Sequence, residues 1–269
     1  MLILRGCTAL VTGASAGVGA ALARELAQRG AARLVLVARR RDRLEALARE
    51  LAPVECLIEV VDLADEAAVG ALIGRYEQID VLVNCAGVGS GGLFLKMDPE
   101  AAQRLVSLNC STPMRLMRAW LPGMVARGRG GVLNVGSVAG LVPQPTAAVY
   151  GASKAFLNQL SDAARLELRG RGVHITNLAP GPIDTEFFSV GYAGFRQPPA
   201  FLFLSAERVA REGMEGLIAN RSVVTPAFWV RWPLALGVSL PRPILWPFLI
   251  LYARFVTHYE QKITSPEPT

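Results

Sequence analysis

From near its start to about Thr225 the chain alternates between short apolar runs and segments with helical periodicity. Cys7–Thr12, Leu34–Ala38, Cys56–Val61, Val81–Asn84, Gly131–Gly136, Val173–Leu178 and Val223–Thr225 read as strands. Between them the spacing of apolar residues predicts helices at Gly17–Arg29, Asp42–Leu51, Glu66–Tyr76, Pro99–Leu108, Thr112–Arg127, Ala147–Leu168 and Ser205–Ala219. Gly30 stops the first helix, Asp42 reads as the cap of the second and Ser205 as the cap of the last. Leu34–Ala38 is apolar almost throughout, which suits a strand covered on both faces. Strands separated by helical crossovers predict an α/β domain built on a doubly wound parallel sheet of seven strands, with helices on both faces. Ligands of such sheets bind beyond the carboxyl ends of the strands.

From Ala227 onward the pattern changes. Residues 1–226 form the expected domain, and 227–269 an apolar extension that is not a domain of its own. Phe228, Trp229, Trp232, Trp246, Phe248, Tyr252 and Phe255 punctuate it, with Arg231, Arg242 and Arg254 between them. Ile244–Tyr252, its most apolar run, falls short of the ~20 residues of a membrane span, and Pro241, Pro243 and Pro247 are expected to break any longer helix. The mixture suits either a peripheral contact with a membrane surface or packing on the core or a second subunit. Glu186–Leu204 reads as a loop over the substrate, and its Phe187, Phe188, Phe195, Phe201 and Phe203 suggest an apolar ligand.

The chain has 269 residues, 52% apolar and 19% charged, enough for one large core. The net charge of +6 suits an anionic cofactor or an acidic membrane surface. No basic run is interleaved with aromatics, so nucleic acid is not an expected partner. Cys7, Cys56, Cys85 and Cys110 form no Cys-x-x-Cys pair, and the chain has only His174 and His258, so no metal site is expected. Reduced thiols and the lack of a recognisable leader lead to an expectation of a cytoplasmic protein, with membrane association open.

Two motifs carry candidate chemistry. The first strand runs into Thr12-Gly13-Ala14-Ser15-Ala16-Gly17-Val18-Gly19 and then a helix. Glycines there let the backbone approach a pyrophosphate placed at the helix N-terminus, the arrangement of a Rossmann-like dinucleotide site. The second strand ends in Ala38-Arg39-Arg40 with no acid at its end. In such folds an acid there binds the ribose hydroxyls and an arginine accommodates a 2′-phosphate, so NADP(H) is expected ahead of NAD(H). A solvated charge run at the start of a helix is the other reading of these arginines. The second motif is Tyr150-Gly151-Ala152-Ser153-Lys154. At this spacing the phenol and the ammonium share one helix face. An ammonium beside a phenol lowers its pKa from about 10, making a tunable acid/base. Alone, that spacing is common in ordinary amphipathic helices.

Together these residues, from about Thr8 to Thr185, resemble the short-chain dehydrogenase/reductase family. Thr12 to Gly19 fits the family's Thr-Gly-x-x-x-Gly-x-Gly, with Ala16 where many NADP-using members carry a basic residue. Asn84-Cys85-Ala86-Gly87 fits its Asn-Asn-Ala-Gly with cysteine in the second position. The resemblance implies that Gly13, Ser15, Gly17, Val18, Gly19, Arg39, Arg40, Asp62, Leu63, Asn84, Ala86, Gly87, Pro180, Gly181, Ile183 and Thr185 bind the cofactor along with Tyr150 and Lys154. It implies that Asn109, Ser137, Tyr150 and Lys154 are catalytic: Tyr150 as acid/base, Lys154 lowering its pKa and holding the nicotinamide ribose, Ser137 bonding the substrate oxygen, and Asn109 holding a water in a distorted helix. The expected reaction interconverts a carbonyl and an alcohol on a hydrophobic substrate of lipid, sterol, retinoid or acyl type, and a homo-oligomer is expected. The alternatives are an NAD-dependent alcohol dehydrogenase and a non-catalytic scaffold that binds through the C-terminal apolar surface. Cys85, Cys110 and His174 are expected to pack rather than react.

Overall fold

The computed structural model describes residues 2–187, 203–226 and 240–264, with backbone alone at 252 and 255–264. β1 (Thr8–Thr12) leads to α1 (Gly17–Gln28), β2 (Arg33–Ala38) to α2 (Arg41–Glu50), β3 (Glu55–Val60) to α3 (Glu66–Arg75), and β4 (Val81–Asn84) to α4 (Pro99–Val106). A π-helical turn, Ser107–Ser111, joins α4 to α5 (Thr112–Ala126). Then come β5 (Gly130–Val135), α6 (Ala148–Glu167), β6 (Val173–Leu178), α7 (Ala206–Ile218), β7 (Val223–Val224) and α8 (Arg242–Thr264). All strand pairs are parallel, in the order β3-β2-β1-β4-β5-β6-β7. The order reverses between β1 and β4, so the crevice outside their carboxyl ends is where a ligand is expected.

Alternation along each central strand feeds two cores. Ala9, Val11, Leu34 and Leu36 pack on the side of α1 and α7, with Leu22, Leu26, Val209 and Met214. Leu10, Val35 and Val37 face the other side, with Leu72, Leu116 and Trp120. Both faces are covered, which is why β2 reads as an unbroken apolar run. β3, at the sheet's edge, is only partly buried and exposed at its ends. Ser205 caps α7 by accepting from the Arg208 amide, as expected. Asp42 does not cap α2. Arg40 takes that position, and Asp42 lies in the first turn, where a negative charge favours the helix dipole.

Prolines do not break the C-terminal helix. α8 runs for 23 residues through Pro247. Pro243 sits in the first turn, where its missing N–H loses nothing, and the amides of Ile244 and Leu245 bond the Pro241 carbonyl. Pro247 removes one internal bond without ending the helix. No helix among the described residues is long and apolar enough to cross a membrane. Residues 188–202 of the expected substrate loop, including Phe188, Phe195 and Phe201, lie outside the described residues. So do 227–239 of the extension, with Phe228, Trp229, Arg231 and Trp232, and the side chains of Tyr252 and Phe255.

Candidate active site

The crevice begins at Thr12. Its hydroxyl accepts from the amides of Cys85 (2.9 Å) and Ala86 (3.0 Å) and donates to the Val83 carbonyl (3.1 Å), fastening the end of β1 to the loop after β4. Gly13 turns with φ +70°, and a Cβ there would sit 3.0 Å from the Ala86 backbone. A Cβ on Gly19 would lie 2.2 Å from the Gly13 carbonyl oxygen, so α1 can lie this close to β1 only with glycine. α1 starts after Ala16 with no side-chain cap. The amides of its first turn, Gly17, Val18 and Gly19, are thus available to an anion, while the Val18 side chain is buried in the core. Glycines that no side chain can replace and an uncapped helix start fit the pyrophosphate of a dinucleotide.

At the far end of the loop, Arg40 donates to the Ser15 hydroxyl (3.1 and 3.3 Å) and to Glu186 (2.8 Å), and Arg43 also holds Glu186 (2.8 Å). Arg39 is exposed and makes no ion pair or hydrogen bond among the described residues. Asp62 accepts from the Ala64 amide (3.0 Å) and from Arg104 (2.7 Å), and these, with the charge of Arg39, hold its carboxyl below the ordinary range. Leu63 is buried, its carbonyl bonded by Thr112. The Asn84 side chain turns into the sheet, donating to Asn134 Oδ1 (2.8 Å). On the opposite side, the Pro180 carbonyl accepts from Val138, Ile183 bridges to Leu204, and the Thr185 methyl lies over Gly17. Gly181 lies in the turn between them.

Ser137, Tyr150 and Lys154 converge where β5 meets α6. The Ser137 hydroxyl accepts from the Ala139 amide (3.1 Å) and is hydrogen-bonded to the Tyr150 hydroxyl. The Lys154 ammonium donates to the Val135 carbonyl (2.8 Å), 5.9 Å from the centre of the Tyr150 ring. The resemblance implied that Lys154 acidifies the phenol; burial acts on Tyr150 in the opposite sense. Burial pushes Tyr150 up to about 12, the Ser137 bond opposes this only in part, and burial brings Lys154 down to about 8. Both groups are out of water, and desolvation disfavours each charged form. Leu105, Ala147, Met97, Ala139, Val149 and Phe187 form an apolar collar around Tyr150. The Phe187 ring centre is 5.8 Å from that of Tyr150.

Asn109 lies in the π-helical turn, buried, as the expectation of a distorted helix requires. Its Nδ2 donates to Val88 O and Ser153 Oγ (both 3.0 Å), and its Oδ1 accepts from the Val88 amide (3.1 Å). Both N–H groups are thus engaged by protein, and the side chain pins the loop after β4. A Cβ on Gly87 would fall 3.2 Å from Asn109 Oδ1 and 3.6 Å from Lys154 Nζ, so the missing side chain keeps these groups close. Burial pushes the Cys85 thiol up to about 12 and also raises Cys110, in keeping with packing roles. His174 Nδ1 is 2.8 Å from the Leu217 carbonyl.

Sequence reasoning missed the supports beneath the site apart from Asn84, which it assigned to the cofactor. Asn84, Asn134 and Asn177 are register partners across β4, β5 and β6. Asn134 bonds Ser161 (2.8 Å), and Asn177 bonds Asn158 (3.1 Å), which in turn donates to the Ser137 carbonyl (3.1 Å). This row ties α6 to the sheet and fixes Ser137. The only hint was an asparagine near the end of each of three strands. An apolar groove of about 440 Å³, lined by Phe94, Val106, Cys110, Ala148, Val149 and Ala152 among others, lies against α4 and α6.

A dinucleotide cradle opening onto a buried Tyr–Ser–Lys group defines a nucleotide-dependent oxidoreductase class. The family model for short chain dehydrogenase matches residues 7–191. The NADP-dependent 3-hydroxy acid dehydrogenase YdfG of Salmonella typhi is 39% identical over 191 residues, 69% of this chain and 76% of that one. A short-chain dehydrogenase from Sphingobium yanoikuyae in complex with NADPH superposes with a TM-score of 0.78 at 33% identity, covering 86% of this chain and 92% of that one. The bulky-bulky ketone specific alcohol dehydrogenase from Comamonas testosteroni gives 0.74 at 29%, covering 88% and 95%. The chain belongs to the short chain dehydrogenase family.

Proposed function

We propose that this protein is an NADP(H)-dependent oxidoreductase that interconverts a carbonyl and a primary or secondary alcohol on a hydrophobic substrate. The observation that carries this reading is the Tyr150 hydroxyl, bonded to Ser137 inside an apolar collar at the mouth of the dinucleotide cradle. Arg39 and Arg40 fit a 2′-phosphate, Gly13, Gly17 and Gly19 a pyrophosphate, and Lys154 would hold the nicotinamide ribose. When bound, the nicotinamide supplies or accepts hydride at the carbonyl carbon. Tyr150 would give its proton to the carbonyl oxygen in reduction and take the alcohol proton in oxidation. Ser137 donates to the same oxygen as its charge grows. Asn109 and Asn158 hold the loop and the serine in place.

The apolar collar and Phe187 favour a bulky apolar ketone or aldehyde over a small charged one, in line with the ketone preference in the name of the Comamonas neighbour. α8 exposes Trp246 (52%), Phe248 (65%) and Leu251 (68%) between Arg242 and Arg254, which suits a peripheral contact with an anionic membrane surface in the cytoplasm. The groove against α4 and α6, with Phe94 and Leu95 exposed beside it, suits a second copy of the chain. The test of the substrate class is a series of ketones of graded chain length, with NADPH and then NADH. The reading expects kcat/KM to climb with chain length and NADPH to outperform NADH. Best turnover with short hydroxy acids would overturn the substrate class.

A further inference from the structure

Three consecutive residues cross the mouth of the crevice, and each touches a different working part. The Thr185 methyl lies over Gly17 of the phosphate loop. The Glu186 carboxylate receives Arg40 Nη1 at 2.8 Å and Arg43 Nη1 at 2.8 and 2.9 Å. The Phe187 ring packs against Tyr150, with centres 5.8 Å apart. Arg40 meanwhile holds Ser15, so the guanidinium expected to meet a 2′-phosphate already carries a carboxylate. The segment is anchored behind this strap, where the Asp184 amide bonds the Leu204 carbonyl and Ile183 bridges to Leu204.

We propose that Glu186 occupies the place of a 2′-phosphate in the free protein: its carboxylate holds Arg40 and Arg43 until a dinucleotide bearing that phosphate displaces it, and the strap that carries Phe187 loosens from Tyr150 with it. This rests on the NADP(H) reading above. A phosphate brings more charge and more acceptor oxygens than a carboxylate and fits the same guanidinium forks. A free ribose hydroxyl is neutral and cannot replace Glu186. Both members of the pair are exposed, so their attraction is weak enough for a phosphate to overcome. Glu186 and Phe187 are consecutive, so a shift of the strap backbone when the Arg40 and Arg43 bonds are lost would reach the Phe187 ring. One residue therefore links recognition of the phosphate to uncovering of the proton donor. The arginines supply the attraction to a 2′-phosphate, and Glu186 competes with it, lowering phosphate affinity while it keeps the strap on Tyr150 until the phosphate arrives.

Calorimetric titration of wild type and Glu186→Gln with adenosine 2′,5′-bisphosphate and with 5′-AMP tests this, because the two probes differ only in the 2′-phosphate. The expected result is tighter bisphosphate binding by the variant, by about threefold to tenfold, with 5′-AMP unchanged. Hydrogen exchange at the amides of Glu186 and Phe187 in wild type should rise with the bisphosphate and not with 5′-AMP. Equal or weaker bisphosphate binding by the variant, or exchange that ignores the phosphate, overturns the proposal. A wild type that binds both probes alike overturns the NADP(H) reading itself, and the proposal with it.

Discussion

Tyr150 and Lys154 lie buried on one face of α6, and that burial governs their protonation. Burial moves the phenol up to about 12 and the ammonium down to about 8. The spacing made the pair legible in the sequence; the sign of the phenol's shift was not, because it depends on how completely neighbouring elements exclude solvent. For Lys154 the unfolded value is 10.5 and the folded value lower, so the unfolded chain binds more protons between the two, and stability rises with pH across that window. The unfolding free energy of wild type, relative to Lys154→Met, should rise by about 3 kcal/mol from pH 8 to pH 10.5. Urea titrations at both pH values measure it; a flat difference would mean that Lys154 keeps its solution pKa. Ser137, Asn109 and the cradle glycines were also legible as motif positions. Asn134, Asn158 and Asn177 were not, since only strand register brings them together.

Secondary structure followed the apolar pattern closely in β2 and β4, while β5, buried along its length, began and ended one residue earlier than expected. At the sheet edges the pattern weakens, and β3 shifted by one residue from the expected span. The π-helical turn was foreseen only through the family resemblance, since no residue type in Ser107–Ser111 demands it. Proline was over-read in α8, where position in the first turn removes most of its penalty. The junction of β1 and α1 gives the sharpest element-level prediction. Gly19→Ala places a methyl against the Gly13 carbonyl, so the helix must shift away from the strand. The expected cost is about 1–3 kcal/mol of stability together with a loss of dinucleotide affinity. A thermal melt and an NADPH titration measure the two, and wild-type affinity in the variant would remove this approach from the account.

At the scale of the whole molecule, alternating strands and helices implied the parallel sheet, and the reversal of order between β1 and β4 puts the cradle and the proton donor at one edge. Sheet order itself was not legible in the pattern, because periodicity records burial and not neighbours. α8 stands outside that scheme with its large apolar side chains exposed. Removal of residues from Ala227 onward should abolish sedimentation with anionic liposomes while the remaining domain keeps its dinucleotide binding; unchanged sedimentation would rule out the membrane role. The central claim of the proposed function is that Tyr150 would deliver the proton to the carbonyl oxygen of a bulky ketone when NADPH is bound. The direct measurement follows the absorbance of the reduced nicotinamide with such a ketone, for wild type and Tyr150→Phe, alongside NADPH affinity. The account predicts a rate lower by at least about 10²-fold in the variant with NADPH still bound; a variant that turns over at the wild-type rate would contradict it.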